Sequence, residues 1–147
     1  AALRTKKVAV YVTDFPTDET VGEEGVIAIP HLGASTVESE DHCAVMAAQQ
    51  LDEFLTCGNI RNSVNFPTVC VPYSEKPRVC IMNENVPNML SQITSTFSAQ
   101  NINIENLANG SKGETAYTIV ETNVKASEEI LKALAAIDGV FGVREFH

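Results

Sequence analysis

The chain has 147 residues, a hydrophobic fraction of 44% and a formal net charge of −9. This length accommodates one ordinary domain or two small ones. The negative charge argues against a nucleic acid or an anionic membrane surface as a partner, because no basic field would attract either. No apolar run approaches the about 20 residues that cross a bilayer.

The cysteines indicate a reducing compartment. Cys43, Cys57, Cys70 and Cys80 form no CxxC pair, and the histidines near them do not complete a zinc-binding spacing. We therefore predict no metal site, and reduced, mostly buried thiols in a cytoplasmic protein. Because the chain does not begin with Met and opens almost directly into a strand-like run, we also expect it to be a piece of a longer protein.

The first part of the chain has the pattern of an α/β unit. Lys7 to Val12 and Val26 to Ile29 are apolar, β-branched runs, which are typical of parallel strands buried on both faces. Pro30 to Thr36 predicts a turn whose hydroxyl residues can cap a helix. Apolar residues at helical spacing then predict that this helix runs from about Val37 to Phe54.

From Arg78 onward the pattern changes to β-α-β-β-α-β, the split ferredoxin-like motif. Right-handed crossovers would place both helices on one face of a four-stranded antiparallel sheet. The fold class is therefore predicted as α+β, with a truncated α/β remnant at residues 1–66, a proline-containing linker at 67–77 and a ferredoxin-like domain at 78–147. The predicted elements are strands at 79–82, 101–107, 115–122 and 140–146, helices opening at Asn85 and at Ser127, and a hairpin turn at 109–113.

Two segments resemble a known family. Asn83 to Leu90 (NENVPNML), followed by Asn101 to Ile104 (NINI), resembles the ACT domain of bacterial phosphoglycerate dehydrogenases, where the pattern is close to H-x-N-R-P-G-V-L. Ile29 to Thr36 (IPHLGAST) resembles the P-H-x-G-[GA]-S-T segment of D-2-hydroxyacid dehydrogenases. The resemblance implies a parent enzyme that oxidises 3-phosphoglycerate with NAD in serine biosynthesis.

The resemblance also implies roles for residues of the first part. His31 would be the general acid/base, oriented by a carboxylate for which Asp18 and the neighbouring Glu19 are the two candidates. Gly33, Ala34 and Ser35 would lie near the carboxamide of NAD. The sequence contains no GxGxxG segment for the pyrophosphate, so we expect that this chain alone neither binds NAD nor catalyses hydride transfer.

In the regulatory domain, the resemblance implies that Asn83, Asn85 and Asn103 bind L-serine or another small amino acid between two subunits of a homo-oligomer. An asparagine offers both donors and acceptors to a free amino acid. The alternatives are that Asn83 and Asn85 only cap a helix, that the ACT domain only assembles subunits, or that the chain is a stand-alone amino-acid-binding module.

Overall fold

The computed structural model describes residues 1–146, and the chain divides between Met46 and Ala47 into two compact units. The first unit contains two strands, β1 (Tyr11–Thr13) and β2 (Val26–Ala28), which pair in parallel. The parallel pairing that was expected of an α/β unit is therefore present over three residues.

Both strands are shorter and more exposed than predicted. Residues 7–9 form bends and residue 10 is irregular rather than strand, since the partner strand begins only after Gly25, whose φ is +84°. Val12 is 55% exposed and Ile27 is 51% exposed. The expectation of strands buried on both faces is wrong for this unit, because nothing among its described residues forms a second layer over them.

Helix α1 (Val37–Cys57) begins where the turn predicts it. The Oγ1 of Thr36 accepts a hydrogen bond from the backbone N–H of Ser39 at 3.2 Å, which is the contact of an N-terminal cap. The helix ends three residues later than predicted, before Gly58, which adopts a φ of +73°.

The second unit contains the predicted β-α-β-β-α-β order. Its elements are β3 (Arg78–Glu84), α2 (Met89–Ala99), β4 (Ile104–Lys112), β5 (Thr115–Thr122), α3 (Glu128–Ala135) and β6 (Val140–Phe146). The strand order is β4-β5-β3-β6, and every neighbouring pair is antiparallel. The ferredoxin-like prediction is confirmed.

Both helices pack on the same face of this sheet. The core on that face joins Val79 and Ile81 of β3 to Val120 of β5, and it includes four helix residues that are at most 1% exposed, namely Ile93, Phe97, Ile130 and Leu134. Since the apolar faces of α2 and α3 converge on one layer, the single-face arrangement expected from right-handed crossovers is confirmed.

The opposite face of the sheet is covered by residues 57–71. Ile60 and Val69 exchange two backbone hydrogen bonds at 2.9 and 3.0 Å, and Val69 and Val71 are buried against this face. The core there includes Cys80, Tyr117, Ile119 and Phe146. Part of the predicted linker is therefore packed structure, and the sheet is buried on both faces.

Two local predictions in this unit are wrong. Helix α2 begins at Met89 rather than at Asn85, because Asn88 has a φ of +69°, a left-handed conformation that cannot lie inside a right-handed helix. The hairpin turn is Gly113–Glu114, since β4 continues to Lys112. Gly113 has the positive φ that a two-residue hairpin requires.

Candidate functional site

The first candidate site lies after the two parallel strands. His31 follows β2, and its Nδ1 is 2.8 Å from the Oδ2 of Asp14, which directly follows β1. The ring of Phe15 meets the His31 ring edge-on, with centroids 4.9 Å apart. The structure therefore brings a histidine and a carboxylate together at the carboxyl ends of neighbouring parallel strands, where open α/β sheets bind ligands.

The structure does not bring Asp18 or Glu19 to His31. Both are exposed, and they lie in a turn that is closed by a 2.8 Å hydrogen bond from the N–H of Thr20 to the carbonyl of Thr17. The predicted pairing of His31 with one of these two carboxylates is thus replaced by a contact with Asp14, one residue before the Phe15-Pro16 dipeptide.

Gly33, Ala34 and Ser35 form an exposed turn before α1. A Cβ atom added to Gly33 would meet nothing within 4 Å. The carbonyl of Gly33 accepts a 2.9 Å hydrogen bond from the hydroxyl of Ser39, which fixes the turn to the first turn of the helix. The turn is open to a ligand, although the chain contributes no pyrophosphate-binding segment.

The second candidate site is a cavity of about 170 Å³ between the end of β3 and the start of α2, here called the α2 cavity. Its single charged lining residue among those described is Glu84. The cavity is lined by Asn83, Glu84, Asn85, Val86, Asn88, Met89, Leu90, Ser91, Asn109 and Ala116.

Asn83 is the polar residue at the base of the α2 cavity. Its side chain is 1% exposed, and its Nδ2 donates to the carbonyl of Glu84 at 2.7 Å. Its Oδ1 is buried and has no hydrogen-bond partner among the described residues. Because a buried acceptor without a partner costs about 1–3 kcal/mol, this atom is a place where a donor from a ligand would be favourable.

The N-terminus of α2 supplies hydrogen-bond donors, whereas Asn83 supplies an acceptor. No side chain caps this helix in the part of the chain that the structure describes, and the first N–H groups of any helix have no partner within it. In α2 these N–H groups belong to Met89, Leu90 and Ser91, which line the α2 cavity. Free N–H groups and the helix dipole together favour a carboxylate.

Asn85 and Asn88 shape the entrance of the α2 cavity. The Nδ2 of Asn85 donates to the carbonyl of Gly113 at 3.1 Å, and its backbone N–H donates to the carbonyl of Glu114 at 2.8 Å, so the approach to α2 is tied to the β4–β5 hairpin. Asn88 stands where the resembling family has glycine. Its left-handed conformation explains the exchange, since asparagine adopts that region more readily than other residues with a side chain.

Asn103 lies at the other end of the sheet. Glu84, next to Asn85, pairs with Thr115, whereas Ile104, next to Asn103, pairs with Thr122. At about 3.4 Å per residue, Glu84 and Ile104 are roughly 24 Å apart along the strands, and Asn85 and Asn103 each lie one residue further out. One chain therefore does not bring all three predicted effector residues together.

A buried ion pair holds residues 57–74 to the sheet. Arg78 donates to Glu121 at 2.7 Å and to the carbonyl of Cys57 at 2.7 Å, and both charged side chains are at most 5% exposed. Burial alone would raise the pKa of Glu121. Hydrogen bonds from Ser74, Arg78 and Asn106, together with the charge of Arg78, outweigh that cost and hold the pKa of Glu121 below its ordinary value.

Sequence reasoning missed Asp14 and the buried pair. Asp14 could have been found, because it directly follows the first apolar run just as His31 follows the second one. The Arg78–Glu121 pair has no sequence signal, since its residues are 43 positions apart and each lies at the end of an apolar strand.

A family model matches most of the ferredoxin-like region of the second unit. Residues 80–142 match the family model described as the AHAS small subunit-like ACT domain. The chain therefore contains an ACT domain over the matched residues. A solved ACT domain from GTP pyrophosphokinase of Chlorobium tepidum aligns with 48% of this chain and 95% of its own, at 23% identity and a TM-score of 0.43.

Similarity to curated proteins extends beyond the ACT domain. D-3-phosphoglycerate dehydrogenase of Escherichia coli K12 is 27% identical over 97% of this chain, and D-3-phosphoglycerate dehydrogenase 1 of Saccharomyces cerevisiae is 34% identical over 71% of it. The chain spans 38% and 23% of the lengths of these two relatives. The ACT domain is thus accompanied by a preceding segment that is also similar to these dehydrogenases.

Proposed function

We propose that the ACT domain binds a small neutral amino acid in the α2 cavity and that the chain is part of a D-3-phosphoglycerate dehydrogenase. The observation that carries the effector proposal is a cavity lined both by Asn83, whose buried Oδ1 has no partner among the described residues, and by the uncapped start of α2. A free amino acid is a zwitterion, so it offers an ammonium donor to the first group and a carboxylate acceptor to the second.

The charge of the cavity supports a neutral side chain on the effector. Glu84 is the charged residue among the described lining residues, and Val86, Met89 and Leu90 contribute apolar surface. A second carboxylate on the ligand would be repelled by Glu84 and would find no basic side chain in this lining. L-Serine, as implied by the family resemblance, satisfies these constraints.

Two copies of the chain would complete the site. Strand β4 is an edge of the sheet, and two such edges can pair antiparallel across a two-fold axis. That pairing places the Asn103 end of one β4 beside the Lys112 end of the other, next to the hairpin that Asn85 contacts. In this arrangement Asn83 and Asn85 of one copy and Asn103 of the second copy approach one ligand.

Calorimetric titration with L-serine tests the effector proposal. We expect saturable binding that is lost in Asn85→Ala and in Asn103→Ala, with Asn65→Ala as a matched control because Asn65 is an exposed asparagine outside the α2 cavity. Binding that survives Asn103→Ala would contradict a site shared between two copies. The absence of heat with any small neutral amino acid would leave assembly of subunits as the role of the domain.

The proposed parent activity is oxidation of 3-phosphoglycerate to 3-phosphohydroxypyruvate with NAD as hydride acceptor. The similarity to D-3-phosphoglycerate dehydrogenases over 97% of the chain supports this activity. Bound NAD would supply the acceptor for the hydride that leaves the carbinol carbon. His31 would take the hydroxyl proton, and the open turn at Gly33, Ala34 and Ser35 would let the backbone approach the cofactor.

An activity assay on two proteins tests the parentage. The protein encoded by the complete reading frame is expected to reduce NAD with 3-phosphoglycerate, whereas residues 1–147 alone are expected to show no turnover, because the sequence lacks a GxGxxG pyrophosphate segment. Turnover by residues 1–147 would contradict the prediction that this part of the enzyme cannot use NAD by itself. Inactivity of the complete protein would contradict the proposed parent activity.

A further inference from the structure

Asp14 and His31 are held together by the register of two parallel strands. Thr13 of β1 is paired with Ala28 of β2, and the N–H of Ile29 donates to the carbonyl of Thr13 at 3.0 Å. The chain therefore leaves both strands at the same edge of the sheet, with Asp14 one residue beyond β1 and His31 three residues beyond β2. This backbone register, rather than a flexible loop, brings the two side chains within 2.8 Å.

The turn that carries Asp14 has its own local restraints. The backbone N–H of Phe15 donates to the Oγ1 of Thr13 at 3.1 Å. The Phe15 ring then lies at an interplanar angle of 79° to the His31 ring, in an edge-to-face contact. His31 is thus restrained by a carboxylate at Nδ1 and by an aromatic ring against the imidazole.

A carboxylate at Nδ1 fixes which nitrogen of a neutral imidazole carries the proton. The ionised Asp14 can only accept, so Nδ1 must donate and Nε2 is left with its lone pair free. A general base needs that free lone pair in a fixed direction, and the carboxylate also stabilises the imidazolium formed when Nε2 takes a proton.

We propose that Asp14 is the positioning residue that sets the tautomer and orientation of His31. The inference rests on the proposed dehydrogenase function, and it assigns the role to Asp14 instead of Asp18, the position that the family resemblance implies. Asp18 and Glu19 stand in the separate turn that Thr17 and Thr20 close with backbone and side-chain hydrogen bonds.

Nitrogen NMR on the ¹⁵N-labelled chain tests this assignment without an activity assay. The spectra are recorded about two pH units above the ordinary histidine pKa of about 6.5, where imidazoles are neutral, and the His31 signals are assigned by their loss in His31→Gln. In the wild-type chain we expect Nδ1 to resonate as a protonated nitrogen and Nε2 as an unprotonated one. In Asp14→Asn we expect both signals to shift toward the average of two exchanging tautomers.

Asp18→Asn and Glu19→Gln are the matched controls, and both are expected to keep the wild-type shifts. Because an exposed pair contributes little to stability and both side chains are at least half exposed, Asp14→Asn is expected to remain folded, which its amide spectrum would show. Unchanged His31 shifts in Asp14→Asn, or changed shifts in either control, would overturn the assignment. Failure of the dehydrogenase proposal would appear separately, as inactivity of the complete protein toward 3-phosphoglycerate.

Discussion

Glu121 shows how single residues connect the ACT sheet to the segment that covers its second face. Its carboxylate accepts from Arg78 and from the hydroxyl of Ser74 at 2.6 Å, and it also accepts from the amide of Asn106 at 3.1 Å. These contacts join β5 to residues on three other parts of the second unit. Removing one member of such a buried pair leaves an uncompensated charge, which typically costs 3–5 kcal/mol.

We predict that Glu121→Gln lowers the free energy of unfolding by about 3 kcal/mol at neutral pH. The folded-state pKa of Glu121 is lowered, so its stabilisation is present above the unfolded-state pKa of about 4.3 and is lost as the pH falls through the folded-state pKa. The difference between wild type and variant should therefore shrink below about pH 4.3. Urea unfolding followed by circular dichroism over a pH series measures this difference.

Glu128→Gln serves as the control for the Glu121 prediction. Glu128 pairs with Lys132 one helical turn away, and both side chains are more than three-quarters exposed, so this change should cost less than about 0.5 kcal/mol at any pH. A Glu121→Gln deficit that stays constant from neutral to acidic pH would contradict the assigned role of the ionised carboxylate.

At the scale of elements, β4 carries the proposed contact between copies. In a two-residue hairpin the residues that flank the turn exchange hydrogen bonds, here Lys112 and Thr115. The residues of an edge strand alternate between those that bond to the neighbouring strand and those whose backbone groups face the free edge. Since Lys112 bonds to β5, the backbone groups of Ser111, Asn109 and Leu107 point away from β5 toward the free edge. These groups are available for a second β4.

We predict that Ser111→Pro disrupts assembly without unfolding the domain. Proline removes an outward N–H at an edge strand, and leaves the hydrogen bonds between β4 and β5 in place. Sedimentation velocity should show a dimer or larger species for the wild-type chain and for Ser111→Ala, which keeps the N–H, and a monomer for Ser111→Pro. Equal sedimentation of all three proteins would exclude the β4 edge as the interface.

The elements also show which parts of the structure the sequence could predict. The strands β5 and β6 and the Ser127 cap of α3 were predicted correctly, because alternating or helical patterns and a hydroxyl cap are local signals. The packing of residues 57–71 on the second face was not predicted, since it depends on contacts such as the pairing of Asn59 with both backbone groups of Val71 at 2.9 and 3.1 Å. Such contacts between distant positions leave no periodic pattern.

The candidate sites also have features that the sequence could predict and features that it could not. Asn83 and Asn85 of the α2 cavity could be named from their resemblance to a family, but the late start of α2 follows from backbone geometry at Asn88. The missing partner of the Asn83 Oδ1 is visible only in the structure. The prediction that Asp18 or Glu19 orients His31 came from a motif aligned on Phe15-Pro16, which takes no account of strand register, whereas the structure places Asp14 at the His31 ring.

At the scale of the whole molecule, the ACT domain follows a segment that is similar to the same dehydrogenases. No helix among the described residues is long and apolar enough to cross a membrane. The chain carries a net charge of −9, which neither attracts nor repels a zwitterion of zero net charge. A neutral amino acid is therefore better suited than an anionic one to act as effector of this chain.

The central claim is that a neutral amino acid binds between the end of β3 and the start of α2. Titration of the ¹⁵N-labelled chain with L-serine, followed by ¹H–¹⁵N correlation spectra, tests it most directly. The account predicts saturable shifts of the Asn83 side-chain amide and of the backbone amides of Met89, Leu90 and Ser91, which line the α2 cavity. Unshifted signals for these four groups at saturating L-serine, or shifts confined to other residues, would contradict the account.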